Sequence, residues 1–237
     1  MKIQLFVPCF IDQMYPTTAF NAIRVLEMTG CEVSYNPQQT CCGQPAYNSG
    51  FWDEAKTIGT KFLNDFSDQD PIVSLSGSCK GMVCNYYNDL FTNTLLHKKC
   101  RTIQSNMFEF SEFLTDKIHY FDFGAKLKGR AIYHDSCGAL RECGIKQEPR
   151  ELLRRVEGLE LIEAPDCETC CGFGGTFAVK FESISVAMAQ QKVENALALK
   201  ADYIISVDSS CLMHLQGYID KNNIPIKTMH LADVLAS

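Results

Sequence analysis

Two stretches decide how this chain is read: "QTCCGQPAYNSG" at residues 39–50 and "DCETCCGFGG" at 166–175. Each sets two cysteines side by side and follows them with glycine. A disulfide between sequence neighbours is poorly suited to the bond, because adjacent Cβ atoms rarely reach the required separation and torsion. A vicinal pair written twice therefore calls for another chemical use.

Outward from the first pair, "KIQLFVP" (2–8) has the character of a buried strand ending at Cys9, and "PTTAFNAIRVLEMTG" (16–30) that of a helix closed by Gly30. "CEVSYNP" (31–37) is strand-like, and "FWDEAKTIGTKFLNDF" (51–66) has helical spacing. "PIVSLSGSC" (71–79) is expected to be a strand running into Cys79, with a helix over 80–91. The second half repeats the order: strand 130–137 into Cys137, helix 148–158, strand 159–165 before Cys170, helix 182–200, strand 201–211 into Cys211, helix 212–221. Even the tails match, 101–115 against 224–237.

The cysteines measure the repeat. Cys137 follows Cys9 by 128 residues, Cys170 and Cys171 follow Cys41 and Cys42 by 129, and Cys211 follows Cys79 by 132. Repeats of this length indicate a duplicated domain, since solenoid units run to about 20–50 residues. The expected organisation is two cysteine-rich domains, 1–118 and 128–237, with a linker around 116–129. Alternating strand and helix implies an α/β fold of two Rossmann-like parallel-sheet lobes. Ligands of such sheets sit outside the carboxyl ends of the strands, where the cysteines fall.

Composition narrows the function. The 237 residues carry 22 basic and 28 acidic side chains, a net charge of −6 without a Lys/Arg block, so no nucleic-acid footprint is visible. The N-terminus lacks a signal-peptide pattern, and no apolar run approaches the ~20 residues that span a bilayer. The expectation is a cytoplasmic protein without direct membrane insertion. Thirteen cysteines in a reducing compartment point to metal binding or redox chemistry rather than to a disulfide framework.

Each half thus supplies four matched thiols: Cys9, Cys41, Cys42 and Cys79, then Cys137, Cys170, Cys171 and Cys211. Clustered thiolates repel one another and need a cation; zinc and iron–sulfur clusters both accept four cysteines. Zinc knuckles space their ligands as C-x₂₋₄-C over a tight turn. Adjacent cysteines reach in nearly opposite directions, which suits a cluster of several metal atoms better than one tetrahedral ion. Gly43, Gly172, Gly174 and Gly175 permit close backbone approach, so that N–H groups can donate to sulfur. "CGFGG" lacks the G-x-G-x-x-G dinucleotide spacing, and no flavin or nicotinamide signature appears. A zinc scaffold without redox role, and thiol–disulfide catalysis by the vicinal pairs, are the competing chemistries.

A lone cysteine, a Cys-Cys-Gly about thirty residues later and a further cysteine, all occurring twice, resemble the cysteine-rich CCG-domain iron–sulfur proteins. That family includes the heterodisulfide reductase B subunit and the glycolate oxidase iron–sulfur subunit. "QTCCGQPAYNSG", "GSCKGMV", "ETCCGFGGTFAVK", "CLMHLQG" and "TMHLADVLAS" resemble its lactate-utilization branch, over nearly the whole chain. The resemblance implies one or two iron–sulfur clusters, of the [4Fe-4S] type, on the eight matched cysteines, with zinc as the alternative in one site. It also implies electron transfer in oxidation of L-lactate to pyruvate, together with a ferredoxin-like iron–sulfur subunit and a third subunit. The relatives' fifth cysteine, completing a C-x-x-C, is replaced here by Met82 and His214, and the histidine that often follows the lead cysteine is Gly138. A four-thiolate cubane, or a mixed site using His214, is what the departure leaves.

Of the remaining candidates, Cys84 is a substitute ligand or an inert buried thiol. Cys167 makes a C-x-x-C with Cys170 and reads as chance proximity, while Cys31, Cys100 and Cys143 lack counterparts and read as structural. His214, three after Cys211 on a helix, shares a face with it as ligand, supporting donor or core residue. His134, three before Cys137 on an expected strand, would point to the opposite face. Trp52, Tyr86 and Tyr87 read as packing.

Overall fold

The computed structural model describes residues 1–237. In the first lobe, β1 (Lys2–Phe6) is followed by α1 (Cys9–Met14), α2 (Pro16–Met28), β2 (Glu32–Tyr35), α3 (Gln44–Asn48), α4 (Trp52–Asp65) and β3 (Ile72–Ser74). Then come α5 (Gly77–Gly81), a π-helical turn (Met82–Tyr86), α6 (Tyr87–Phe91), α7 (His97–Asn106), β4 (Met107–Glu109), α8 (Phe110–Glu112) and a second π turn (Phe113–Lys117). The second lobe runs β5 (Lys126–Tyr133), a third π turn (Gly138–Glu142), α9 (Glu148–Leu153), β6 (Glu157–Ile162), α10 (Thr176–Lys180) and α11 (Glu182–Ala198). It closes with β7 (Tyr203–Ser206), α12 (Ser209–Lys221), β8 (Lys227–His230) and α13 (Leu231–Leu235).

Each lobe has one four-stranded, all-parallel sheet, in the order β2-β1-β3-β4 and β6-β5-β7-β8. The duplicated α/β architecture expected from the cysteine offsets is therefore present. In both lobes the strand order reverses beside the first strand, between β1 and β3 and between β5 and β7. A crevice opens at such a switch point, beyond the carboxyl ends of the two strands. Cys9 and Cys79 follow β1 and β3, and Cys137 and Cys211 follow β5 and β7.

Two sequence expectations shift. Cys79 and Cys211 were expected at strand ends, but β3 and β7 stop at Ser74 and Ser206, and both cysteines lie in the first turn of α5 and α12. The cause is local: the Ser76 hydroxyl accepts from the Cys79 amide at the start of α5, and Asp208 holds the matching position of α12 through its backbone carbonyl, which ends the extended chain. The linker shortens to residues 118–125, which are neither helix nor strand, because helix reaches Lys117 and β5 begins at Lys126.

The inner faces of the two sheets share one apolar core to which both lobes contribute, including Leu75, Phe110, Phe113, Tyr133, Val207 and Leu231. Two smaller cores, one under each lobe, pack the outer helices. β4 and β8 end in a polar pair of twins. His230 caps α13 through Nδ1 and directs Nε2 to the carbonyls of Leu75 and Val207, each 3.1 Å away, tying the lobes together.

Its twin, Glu109, is fully buried and forms a capping box with Glu112. Its Oε2 accepts from the Ser111 amide at 2.8 Å, while Oε1 has no partner. Burial pushes this carboxyl up from 4.5 to about 8. An acid whose pKa is higher folded than unfolded supports the fold fully below the unfolded value and loses that support as pH rises through the folded one. Stability is thus expected to fall between pH 4.5 and about 8, at up to about 1.4 kcal/mol per pH unit. Glu109→Gln, which keeps the accepting oxygen, should flatten that slope in urea midpoints measured across the range.

Candidate metal centres

The lead cysteine of each quartet opens the turn after the first strand, and the fourth opens a helix after the third strand. The vicinal pair comes from the loop that follows the second strand. Three chain segments converge at each switch point, as the parallel topology requires. Cys9 Sγ lies 3.8 Å from Cys41 Sγ. Cys42 neighbours both Cys41 and Cys79, whose thiols hinder its ionisation, so the four thiols form one chain of neighbours. In the second lobe Cys137 neighbours Cys170, and Cys171 neighbours both Cys170 and Cys211. All eight sequence-selected cysteines are thereby gathered into two groups, and all are free thiols.

Both groups have a deep and a shallow half. Cys42 and Cys79 are buried, with Cys9 and Cys41 half-buried above them; Cys171 and Cys211 are buried, with Cys170 half-buried and Cys137 exposed. The groups occupy one rim of the molecule, and Phe10, beside Cys9, meets Phe173 of the second vicinal loop edge-on at 5.5 Å.

Glycine makes the vicinal turns. Gly43 and Gly172 sit at φ +88° and +94°, and a Cβ on Gly172 would lie 2.6 Å from the Ser185 carbonyl oxygen. In that conformation the Gly43 amide points at Cys41 Sγ and the Gly172 amide at Cys170 Sγ, each at 3.4 Å. The Phe173 amide reaches Cys171 Sγ at 3.5 Å. N–H groups aimed at sulfur stabilise thiolate and tune iron–sulfur potentials.

The loop carbonyls are braced as well. Tyr87 donates to the Cys42 carbonyl at 2.9 Å, and Ser185 to the Gly172 carbonyl at 2.8 Å. Tyr87→Phe is expected to cost about 1 kcal/mol of stability, the worth of one buried hydrogen bond, and to speed hydrogen exchange at Cys42 and Gly43. Exchange at those amides equal to the parent's would contradict this bracing role.

The electrostatics show how far the quartets are from self-sufficient. Cys41 is held well below the ordinary thiol range because it accepts from Cys42 and Cys9, and Cys170 likewise because it accepts from Cys137 and Cys171. Their donors Cys9, Cys42, Cys137 and Cys171 are pushed up by the same bonds and by burial. Cys211 comes down to about 7, through Cys171 and the neighbouring His134, against the effect of burial. Ionising a whole quartet therefore requires a cation. Free thiols, amides pointed at sulfur and mutual suppression of ionisation make the donor sets fit a thiophilic metal group.

The other candidates fall outside the sulfur groups. Cys84 Sγ contacts the Gln104 carbonyl at 3.7 Å, and burial pushes its thiol up to about 11. His214 is seated against Ser185, with Nε2 3.1 Å from the hydroxyl, and so steadies the vicinal loop from behind. Cys167 joins the loop scaffold through its carbonyl, which accepts from the Asp135 amide. Cys143 Sγ contacts the Gly77 carbonyl at 3.4 Å. Tyr87 is packed in the first lobe's core as expected, but Trp52 is 63% exposed and stacks on Tyr47 beside a 380 Å³ cleft lined by Asp53, Lys56 and Asp89.

His134 lies closer to the second sulfur group than its slight part in the sequence reading implied. It was expected to turn away from Cys137 by strand alternation and so to have little part in the site; β5 ends at Tyr133, and residues 134–136 are neither helix nor strand. The ring enters the second group instead, with one of its nitrogens and the Sγ atoms of Cys171 and Cys211 all within 4.8 Å of one another. The contrast between "FVPC" (6–9) and "HDSC" (134–137) was the available signal. Asp208 was also missed. Its carboxylate accepts from Ser76 and Ser136 and, at 2.9 Å, from the Ser78 hydroxyl, joining the lobes beneath both groups.

Comparison with known proteins agrees with this arrangement. A cysteine-rich (CCG) domain family model matches residues 3–84 and 131–216. The chain is 41% identical over 237 residues to lactate utilization protein A of Geobacillus sp. (strain WCH70), covering 100% of both. It is 39% identical to lactate utilization protein A 2 of Bacillus cereus (strain 03BB102), over 100% of this chain and 98% of the relative. In fold it is similar to the crystal structure of a hypothetical protein from Helicobacter pylori, with a TM-score of 0.64 at 11% identity, over 99% of this chain and 48% of that one.

Proposed function

The chain belongs to the cysteine-rich CCG-domain family, and from that premise we propose that it is an iron–sulfur electron-transfer subunit of an L-lactate-oxidising system. Two domains, residues 1–118 and 128–237, each hold one group: Cys9, Cys41, Cys42 and Cys79 in the first, Cys137, Cys170, Cys171 and Cys211 in the second. The observation that carries the reading is the convergence of both quartets at switch points, with backbone amides directed at the sulfurs of the vicinal pairs. An iron–sulfur cluster, [4Fe-4S] by the family resemblance, supplies one-electron capacity when bound. The protein's part is to hold it with four thiolates, donate N–H groups to its sulfurs, keep water from its deep side and leave the shallow side open to a partner. The names of the relatives support lactate utilization as the setting.

The partners proposed are a ferredoxin-like iron–sulfur subunit and a third subunit that carries out the chemistry on the hydroxy acid. Hydride removal from a hydroxy acid calls for a flavin or nicotinamide, for which this chain carries no fingerprint. The setting proposed is the reducing cytoplasm, where ligand thiols persist. No helix is long and apolar enough to cross a membrane.

One observation favours zinc as a second reading for the first site. Four thiolates about 2.3 Å from one tetrahedral ion stand about 3.8 Å apart, which is the Cys9–Cys41 separation. Oxygen-free purification followed by iron, acid-labile sulfide and zinc assay separates the two. Iron with matching sulfide and an EPR signal on reduction is the expected result. Stoichiometric zinc without sulfide supports the scaffold, and protein that holds no iron after anaerobic reconstitution overturns the electron carrier. Lactate turnover is expected only when the partner subunits are added; turnover by the isolated chain would refute the division of labour.

A further inference from the structure

The two quartets match in their thiols and differ in one neighbour. Position 134, three before Cys137, is histidine where position 6, three before Cys9, is phenylalanine. Phe6 packs edge-on against Phe62 and Phe66, at centroid distances of 5.0 and 5.7 Å. His134 sets a polar side chain in the matching buried place. It is 1% exposed, and neither ring nitrogen has a hydrogen-bond partner. Leaving a buried polar atom unpaired costs about 1–3 kcal/mol, and native proteins keep such groups where something else satisfies them. The nearest metal-binding atoms are the Sγ atoms of Cys171 and Cys211.

The ring is held in that position. The His134 amide donates to the Ile205 carbonyl at 2.8 Å, and its carbonyl accepts from the Ser206 hydroxyl at 2.9 Å. Both bonds fasten it to β7, the strand that leads to Cys211. The next residue, Asp135, is locked by a bidentate pair with Arg150 at 2.8 and 2.7 Å, and Arg150 also grips Glu163 at the start of the vicinal loop. At the matching place in the first lobe stands Val7, whose amide is met by the neutral Gln39 side chain. The second lobe has thus built a charged brace behind a histidine, and the first has built neither.

We infer that His134 is a nitrogen ligand of the second centre, alongside Cys171 and Cys211, so that the two lobes hold chemically different groups. The inference rests on the metal-binding reading proposed above and adds a direction to it. An imidazole ligand brings no negative charge to the centre, and histidine ligation raises the potential of iron–sulfur groups. The second lobe is then the acceptor of the pair and the all-thiolate first lobe the donor.

The test uses the full chain carrying Cys41→Ser and Cys42→Ser, so that only the second site loads, labelled with nitrogen-15 histidine and reconstituted with iron and sulfide without oxygen. Pulsed EPR of the reduced protein is expected to show a directly coupled histidine nitrogen. His134→Cys, which offers a thiolate in its place, should keep the iron, lose the coupling and shift the potential downward. His134→Ala should bind iron at least tenfold more weakly, and the cysteine variant decides the matter if the alanine variant does not fold. Full iron without nitrogen coupling, or coupling that survives in His134→Cys, overturns the assignment and leaves the electron carrier standing. No iron at this site, with none in the unmutated chain either, overturns both.

Discussion

Cys41→Ser with Cys42→Ser is expected to remove half of the iron and sulfide from oxygen-free protein, Cys170→Ser with Cys171→Ser the other half, and the quadruple variant all of it. The vicinal pair is the right place to cut, because each member faces a different neighbour. Cys41 meets Cys9, and Cys42 meets Cys79, so loss of the pair disconnects the lead cysteine from the fourth. Serine keeps the volume and removes the soft donor. The chain should remain folded, since the largest core is shared by both lobes and contains none of the eight ligand cysteines. Binding to the native state alone adds stability by mass action. For a chain of this size each kcal/mol lost lowers the melting temperature by about 2–4 °C. A site worth about 4 kcal/mol would therefore appear as a drop of about 10 °C, seen in the loaded protein and absent once metal is chelated away. If either double variant loses all the iron, the lobes share a single centre. If neither loses any, the quartets are not the ligands.

The site was legible in the sequence to the extent that it repeats. Four cysteine offsets between 128 and 132 residues were enough to pair the quartets, because duplicated lobes place equivalent residues at equivalent strand ends. Alternating strands and helices sufficed for parallel sheets, since parallel neighbours need a crossover between them. What escaped was the part that breaks the repeat. His134 replaces Phe6, and Asp208 replaces Ser76; a reading tuned to likeness passes over both. His134 was also weighed only against Cys137, the cysteine close to it in sequence, whereas the sulfurs beside its ring belong to Cys171 and Cys211. In "LSGSC" (75–79) and "VDSSC" (207–211), Ser76 and Asp208 were readable as helix caps. The apolar run before them hid the boundary. Trp52 was misjudged for another reason: a large aromatic suggests burial, and only tertiary contacts reveal that α4 turns this one outward.

Gly77→Ala combined with Gly138→Ala is expected to force the lobes apart while leaving each sheet intact. Where α5 meets the π turn, the lobes approach through backbone. α5 and the π turn 138–142 lie so close that a Cβ on Gly77 would stand 2.7 Å from Ala139 Cα, and one on Gly138 would stand 2.6 Å from Ser78 Cα. Backbone atoms on both sides cannot rotate out of the way as a side chain end would. Neither glycine has a positive φ, so alanine strains nothing within its own turn. The whole penalty falls on the interface. Overpacking costs about 1–3 kcal/mol where side chains can adjust, and two backbone clashes at one contact should exceed about 3 kcal/mol. Opening it also strands Asp208, whose carboxylate serves Ser76 and Ser78 of one lobe and Ser136 of the other, and a buried carboxylate left without donors is costly. The variant should be cut by protease in the 118–125 segment much faster than the parent. Because Cys79 and Cys137 flank the contact, it should also change the magnetic interaction between the two centres more than their number. A variant as resistant to cleavage as the parent, with an unchanged spectrum, would mean that the lobes are held by their apolar core alone.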